Sequence, residues 1–228
     1  MATKSIKISK KYNCVGCMAC YNVCPKKAIF FREDGKGFKY PVVDKNKCVN
    51  CGLCKKVCPV INKIEVKRDR HAYACINLDE TTRMQSSSGG VFSLLANTVL
   101  DIGGIVFGCE FDEDWNVIHG YAETKEKIKK FRGSKYVQSN IGYMYKQAEE
   151  FLKQGRMVLF TGTPCQVYGL KTFLRKEYSN LITQDIVCHG VPSPKVWKEY
   201  LKYIKEKNHL KKIQEFNFRN KNQRVGKL

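Results

Sequence analysis

Long apolar runs are missing from this 228-residue chain. The most apolar stretch, residues 89–109, is broken by Asn97, Asp101 and several glycines, so no membrane span is expected. The first eleven residues are basic and polar with no apolar run behind them. No secretory signal is therefore expected, and the cytoplasm is the expected location. Acidic side chains are scarce: 21 Asp and Glu stand against 41 Lys and Arg, a formal charge of +20. Arginine is scarce too, nine against 32 lysines, so the surface carries point charges rather than guanidinium forks. Neither a Rossmann nor a Walker pattern occurs, since the turn Gly162-Thr163-Pro164-Cys165 has neither the glycine spacing nor a P-loop lysine.

Cysteine is abundant, with 12 residues. Without export these are not expected to form disulfides. Eight lie in the first 58 residues: Cys14, Cys17, Cys20 and Cys24 followed by Pro25, then Cys48, Cys51, Cys54 and Cys58 followed by Pro59. Both runs read C-x2-C-x2-C-x3-C-P at an offset of 34 residues, with seven identities in twelve aligned positions. The economical reading is a duplicated half-domain. Three thiols two residues apart can wrap one face of a cubane, with Gly16 and Gly52 where the backbone bends close. The fourth cysteine of each run ligates the other cluster in two-cluster ferredoxins. This assigns Cys14, Cys17, Cys20 and Cys58 to one 4Fe–4S cluster, and Cys48, Cys51, Cys54 and Cys24 to a second. Zinc is the competing metal, but its paired C-x2-C sites have longer gaps. About 60 residues bury too little apolar surface to be robust alone, and two cross-linked clusters would replace the missing core. Between the runs, residues 28–31 and 38–43 flank a polar turn and read as a β-hairpin with its aromatics beside the clusters.

Two clusters at about −2 each bring the charge to roughly +16. Lys26, Lys27, Lys45, Lys47, Lys55 and Lys56 flank the ligands and suit an acidic redox partner, or form a solvated surface. The basic residues 207–228 suit nucleic acid by charge alone, but a solvated face is the commoner explanation.

After a charged link at 63–70 the periodicity changes, so an α+β dicluster ferredoxin-like domain at 1–66 and an α/β domain with a partly parallel sheet at 67–228 are expected. Residues 71–76 read as a short strand, and 91–100 as a helix capped by serine. Residues 105–109 and 117–122 read as a hairpin, with helices at 125–131 and 141–153. Residues 157–160, 165–175 and 181–188 read as a βαβ unit. A capped helix follows Ser193, with Val196, Trp197, Tyr200, Leu201 and Ile204 expected on its apolar face. Parallel neighbours would bring Cys165 and Cys188 to one sheet edge, about 5 Å apart. They could then serve a further cluster, a metal or a redox pair, or be two small hydrophobes. Cys75 and Cys109 read as packing residues in apolar strands. Residues 86–90 suit a phosphate or a plain helix start, and residues 132–139 an anionic planar ligand or a surface loop.

With Ser-Ser-Gly-Gly at 87–90, Ser-Lys-Tyr-Val-Gln-Ser at 134–139, Gly-Thr-Pro-Cys-Gln at 162–166 and Cys-His-Gly-Val-Pro-Ser at 188–193, the chain resembles the coenzyme F-420 hydrogenase/dehydrogenase beta-subunit family, iron–sulfur flavoproteins. The resemblance implies a flavin, FAD, and places Ser87, Ser88, Gly89, Gly90, Ser134, Lys135 and Tyr136 near the flavin or its substrate. It also implies a third 4Fe–4S cluster with Cys165 and Cys188 among its ligands. Family members continue past residue 228, so the family's C-terminal half is expected to be absent. The implied function is an oxidoreductase passing electrons between flavin, clusters, a partner protein or subunit, and a small-molecule substrate. The substrate class stays open among a deazaflavin, a quinone, a sugar-linked compound and another protein. The alternatives are a non-catalytic electron carrier and, less favoured by the spacing, a zinc-containing nucleic-acid binder.

Overall fold

The computed structural model describes residues 5–7, 11–62, 71–219 and 221. The charged link and the expected boundary between residues 66 and 67 lie outside the described residues, as do residues 220 and 222–228 of the basic tail. Among the described residues no helix is long and apolar enough to cross a membrane.

The N-terminal part holds two short helices and one hairpin. Helix α1 (Ala19–Val23) carries Cys20, strands β1 (Ile29–Glu33) and β2 (Lys39–Val43) pair antiparallel, and α2 (Leu53–Lys56) carries Cys54. The turn between the strands forms because the Asp34 carboxylate accepts from the Lys36 and Phe38 amides while Gly37 adopts a left-handed φ of 87°. Its core is small: Ile6, Ile29 and three of the cysteines, Cys20, Cys54 and Cys58.

The second part is a mixed sheet in the order β4-β3-β5-β6. Strand β3 (Ile105–Phe111) pairs antiparallel with β4 (Val117–Ala122) and parallel with β5 (Val158–Gly162), which pairs parallel with β6 (Leu181–Asp185). Strands β3 and β5 are covered on both faces, which is why both read as unbroken apolar runs. On one face Ile105, Phe107, Val158 and Phe160 meet α5 (Met144–Lys153) and α6 (Pro164–Leu174). On the other, Val106 and Leu159 meet Ala96 and Val99 of α4 (Val91–Asp101), together with Ile128 and Phe131. Each fully buried side chain of this size contributes about 1.5–3 kcal/mol. A short helix α3 (Glu80–Met84) is capped by Asp79, and α7 (Pro194–Lys207) by Ser193, whose Oγ accepts from the Val196 amide. Trp197 of α7 donates from its indole nitrogen to the Trp115 carbonyl, docking the helix on the tip of the β3–β4 hairpin.

The two parts share one core. Cys17, Ala19 and Val57 pack in the cluster built on α5, α6 and the sheet. The Asn22 amide donates to the Gly142 carbonyl, and Ser193 Oγ donates to the Lys36 carbonyl in the hairpin turn. Gly169 is the close approach: a Cβ there would sit 2.9 Å from both the Cys17 Cβ and the Tyr145 hydroxyl.

Several expectations change. Residues 71–76 form no strand; they run exposed along the loop at 85–90, with the Asn77 amide donating to the Gly89 carbonyl, so Cys75 is exposed rather than packed. Helix α4 is capped not by serine but by Gly90 at φ 80°, with no side-chain bond. The segment at 125–131 shortens to a 3-10 turn, Lys127–Phe131. Strand β6 stops at Asp185, so Cys188 lies in the loop beyond it. On α7, Trp197 and Leu201 are buried, but Val196 and Tyr200 of the expected apolar face are exposed. In each case the local pattern was apolar or capping-competent, but tertiary contacts decided the outcome.

Gly169→Ala should force α1 away from α6 and destabilise by about 1–3 kcal/mol. Anaerobic thermal unfolding should show a fall of several degrees, whereas Gly35→Ala, with nothing within 4 Å of the added carbon, should leave the midpoint unchanged.

Candidate metal centres

Two indentations in the N-terminal part are each ringed by four thiols. One, of ≈ 330 Å³, is lined by Cys14, Cys17, Cys20 and Cys58 with Ile6, Phe31, Pro41 and Val60. The other, of ≈ 370 Å³, is lined by Cys24, Cys48, Cys51 and Cys54 with Ala28, Ile29, Val43 and Leu53. Each thus takes three thiols from one run and the last from the other. Among the described residues, no three of His, Cys, Asp or Glu form a group able to hold a single ion; the thiols surround volumes instead. That donor set, soft thiols around a cavity with apolar walls, fits a polynuclear cluster.

The loops show the duplication in their backbone. Gly16 and Met18 have φ of 65° and 61°, and at the matching positions Asn50 and Gly52 have 54° and 78°. Each loop therefore needs two left-handed residues, and glycine takes one place in the first loop and the other in the second. Only Asn and Gly accept this conformation readily, so Met18 is held there by its surroundings. Two amides outside these loops point at sulfur: Ile6 donates to Cys54 Sγ at 3.1 Å and Ala28 to Cys24 Sγ at 3.3 Å. Burial pushes the free thiols of Cys14, Cys20 and Cys54 up, and Cys17 up to about 12. Thiolates at these places need a compensating cation, which cluster iron supplies.

Cys165 and Cys188 do not form a comparable set. Cys165 is the second residue of α6 and lies close enough to the first cavity that its charge would raise the Cys17 thiol. Cys188 is exposed, and its thiol faces the Gly190 carbonyl at 3.8 Å. Among the described residues, Cys165 and Cys188 belong to no group of three metal-binding side chains.

The other motif segments converge, but on one another. The Ser134 amide donates to Ser87 Oγ at 2.6 Å. The Lys135 ammonium donates to the carbonyls of Lys130, Arg132 and Gly133. Lys221 donates to the Ser88 carbonyl, Tyr136 stands edge-on to Phe218, and Gly90 fits against Asn77. Ser87 Oγ, the Ser134 amide and the Lys135 ammonium are thus engaged within the chain in this arrangement.

Sequence reasoning missed a buried polar chain leading away from Cys165. His119 Nε2 lies 3.2 Å from the Thr161 carbonyl, which can only accept, so Nε2 carries the proton and Nδ1 accepts from Ser139 Oγ at 3.0 Å. Ser139 accepts from Gln166 Nε2 at 2.7 Å; Gln166 Oε1 accepts from the Thr163 amide and hydroxyl. Thr163 Oγ1, its proton committed, then accepts from the Cys165 thiol at 3.0 Å. The return bond to the Thr163 amide is half of a capping box, and Thr-x-x-Gln at 163–166 was the available signal. Nothing in the pattern of β4 marked His119.

Burial lowers the His119 pKa from 6.5 to about 4. The unfolded chain then binds the extra proton first, so stability should fall as pH drops from about 6.5 through about 4, by roughly 3 kcal/mol at the limit. Denaturant titrations across that range should show a shallower acid loss for His119→Gln than for the native chain.

Comparison with known proteins follows this division. Residues 13–62 match the family model described as a 4Fe-4S dicluster domain. Residues 155–227 match the model that describes the C terminus of the coenzyme F420 hydrogenase/dehydrogenase beta subunit. No curated protein matches. Among solved structures, a chain of the xenon-derivatised F420-reducing [NiFe] hydrogenase complex from Methanosarcina barkeri is similar, with 22% identity and a TM-score of 0.46 over 56% of this chain. The match spans 47% of that relative's length. The chain carries a 4Fe-4S dicluster domain at its N-terminus and, over residues 155–227, resembles the coenzyme F420 hydrogenase/dehydrogenase beta subunit.

Proposed function

We propose that the chain is an electron-transfer oxidoreductase in which Cys14, Cys17, Cys20 and Cys58 hold one 4Fe–4S cluster and Cys48, Cys51, Cys54 and Cys24 hold the second. The single observation that carries the allocation is that each thiol-ringed cavity is completed by the last cysteine of the opposite run. When bound, such clusters supply one-electron transfer at potentials tuned by charge, exposure and hydrogen bonds to sulfur. The protein's part is to hold the thiols, direct amides at them and exclude water with Ile6, Ile29, Phe31 and Val43. Electrons pass between a redox site or substrate of the α/β part and a partner protein.

FAD is the group proposed for the α/β part on the resemblance of residues 155–227 and the four motif segments. Its binding requires Ser87 and Ser134 to part and Lys135 to release its carbonyls. The mutual satisfaction of those groups favours a second reading, a ferredoxin-like carrier with no flavin chemistry of its own.

Iron, acid-labile sulfide and flavin measured on one anaerobically purified sample test both. About eight irons per chain is the expected result, and about twelve requires a third cluster. Near-stoichiometric flavin supports the oxidoreductase; none, with eight irons, supports the carrier. Stoichiometric zinc with little iron overturns both. The allocation is checked by pairs of variants. Cys24→Ala with Cys51→Ala should lose no more iron than Cys24→Ala alone, about four per chain. Cys24→Ala with Cys17→Ala should lose about eight.

A further inference from the structure

The two cavities do not face the same surroundings. Cys17 of the first is buried in the core shared with α5 and α6, and its sulfur would lie 3.2 Å from a Cβ on Gly169. Both linings come from the N-terminal part, but that of the second, between Ser5 and Cys54, includes none of the residues packed in that core. Cys51 is exposed there, with Val49 at 57% and Asn50 beside it; at the matching place of the first cavity Val15 is less exposed, at 42%, and its neighbour Gly16 abuts Gln138. Pseudo-twofold duplication would make the halves alike; packing against α6 makes them unlike.

The N-terminal part is basic throughout. Between residues 11 and 62, ten Lys and Arg stand with three acids, Glu33, Asp34 and Asp44. Asp44 lies 3.7 Å from Lys47. Lys26 lines the second cavity, Lys27 is exposed beside it, and Lys56 is exposed on α2, the helix that carries Cys54. An exposed apolar residue and an exposed ligand within a rim of ammonium groups suit a partner with a carboxylate-rimmed apolar patch.

From this arrangement we infer that the second cavity is the docking end for a small acidic electron-carrier protein, and that the first is the internal relay toward the α/β part. The inference rests on the reading that both cavities hold clusters, and adds an order to them. Electron tunnelling weakens steeply with distance, so a carrier must seat where a cluster ligand reaches the surface. Among the cavity thiols that is Cys51, not Cys17. The basic face of α7, with Lys198, Lys202 and Lys205, is the competing site and carries no such thiol.

The test uses the iron-loaded full chain. Pre-reduced acidic flavodoxin is mixed with the oxidised protein in stopped flow, and the flavodoxin's own long-wavelength absorbance is followed. The second-order rate constant should fall as salt is added. Lys27→Gln, Lys45→Gln, at an exposed residue three before Cys48, and Lys56→Gln together should lower it about tenfold at low ionic strength. The same triple should leave iron content and dithionite reduction unchanged. Lys198→Gln, Lys202→Gln and Lys205→Gln together should change the rate less than about twofold. A rate insensitive to salt and to the first triple, in a protein that still holds eight irons, overturns the docking end alone. Sensitivity to the second triple instead moves the site to α7 and also overturns it. A protein without iron overturns the underlying reading.

Discussion

Each thiol-ringed cavity lacks its fourth cysteine until the two halves of the N-terminal repeat fold onto one another. Cys24 leaves the first loop to line the second cavity, and Cys58 leaves the second loop to line the first. With so few apolar side chains in this part, the core is largely the cysteines themselves. Local order therefore depends on what the thiols hold. Buried free thiols contribute little beyond small hydrophobes, while thiolates bound to iron cross-link both halves.

The second constraint is the seam between α1 and α6. Gly169 lets the Cys17 loop approach α6, and the same contact draws Cys165, at the start of that helix, toward the first cavity. The α/β sheet then supplies rigidity. Strands β3 and β5, buried on both faces, hold α5 and α6 against the N-terminal part on one side and α4 on the other. The chain from Cys165 through Thr163, Gln166 and Ser139 to His119 fixes the first turn of α6 to β4 and β5. These bonds tie Thr163 and Gln166 at the helix start to Ser139 and His119. This matters for any electron path entering the sheet from the first cavity.

Much of this was readable beforehand for a physical reason. Ligand spacing, the hairpin turn at Asp34, the Pro194 helix start and the β5–α6–β6 crossover are local patterns written within a few residues of one another. Elements failed where locality failed. Residues 71–76 have strand-like composition but no neighbouring edge, and Cys188 extends an apolar run that β5 stops pairing at Asp185. The motif segments at 87–90 and 134–136 were recognisable as segments. That Ser87 and Ser134 bond each other was not, because 47 residues separate them.

By itself the sequence determined the cofactor chemistry of the N-terminal part and the class of the sheet, because thiol spacing and apolar periodicity act over single loops and strands. Tertiary structure alone decided that Cys51 is exposed while Cys17 is buried, where Cys165 sits and that His119 is buried neutral. Those outcomes arise when α1 meets α6 and β4 meets β3, contacts between residues distant along the chain that leave no periodic trace in it.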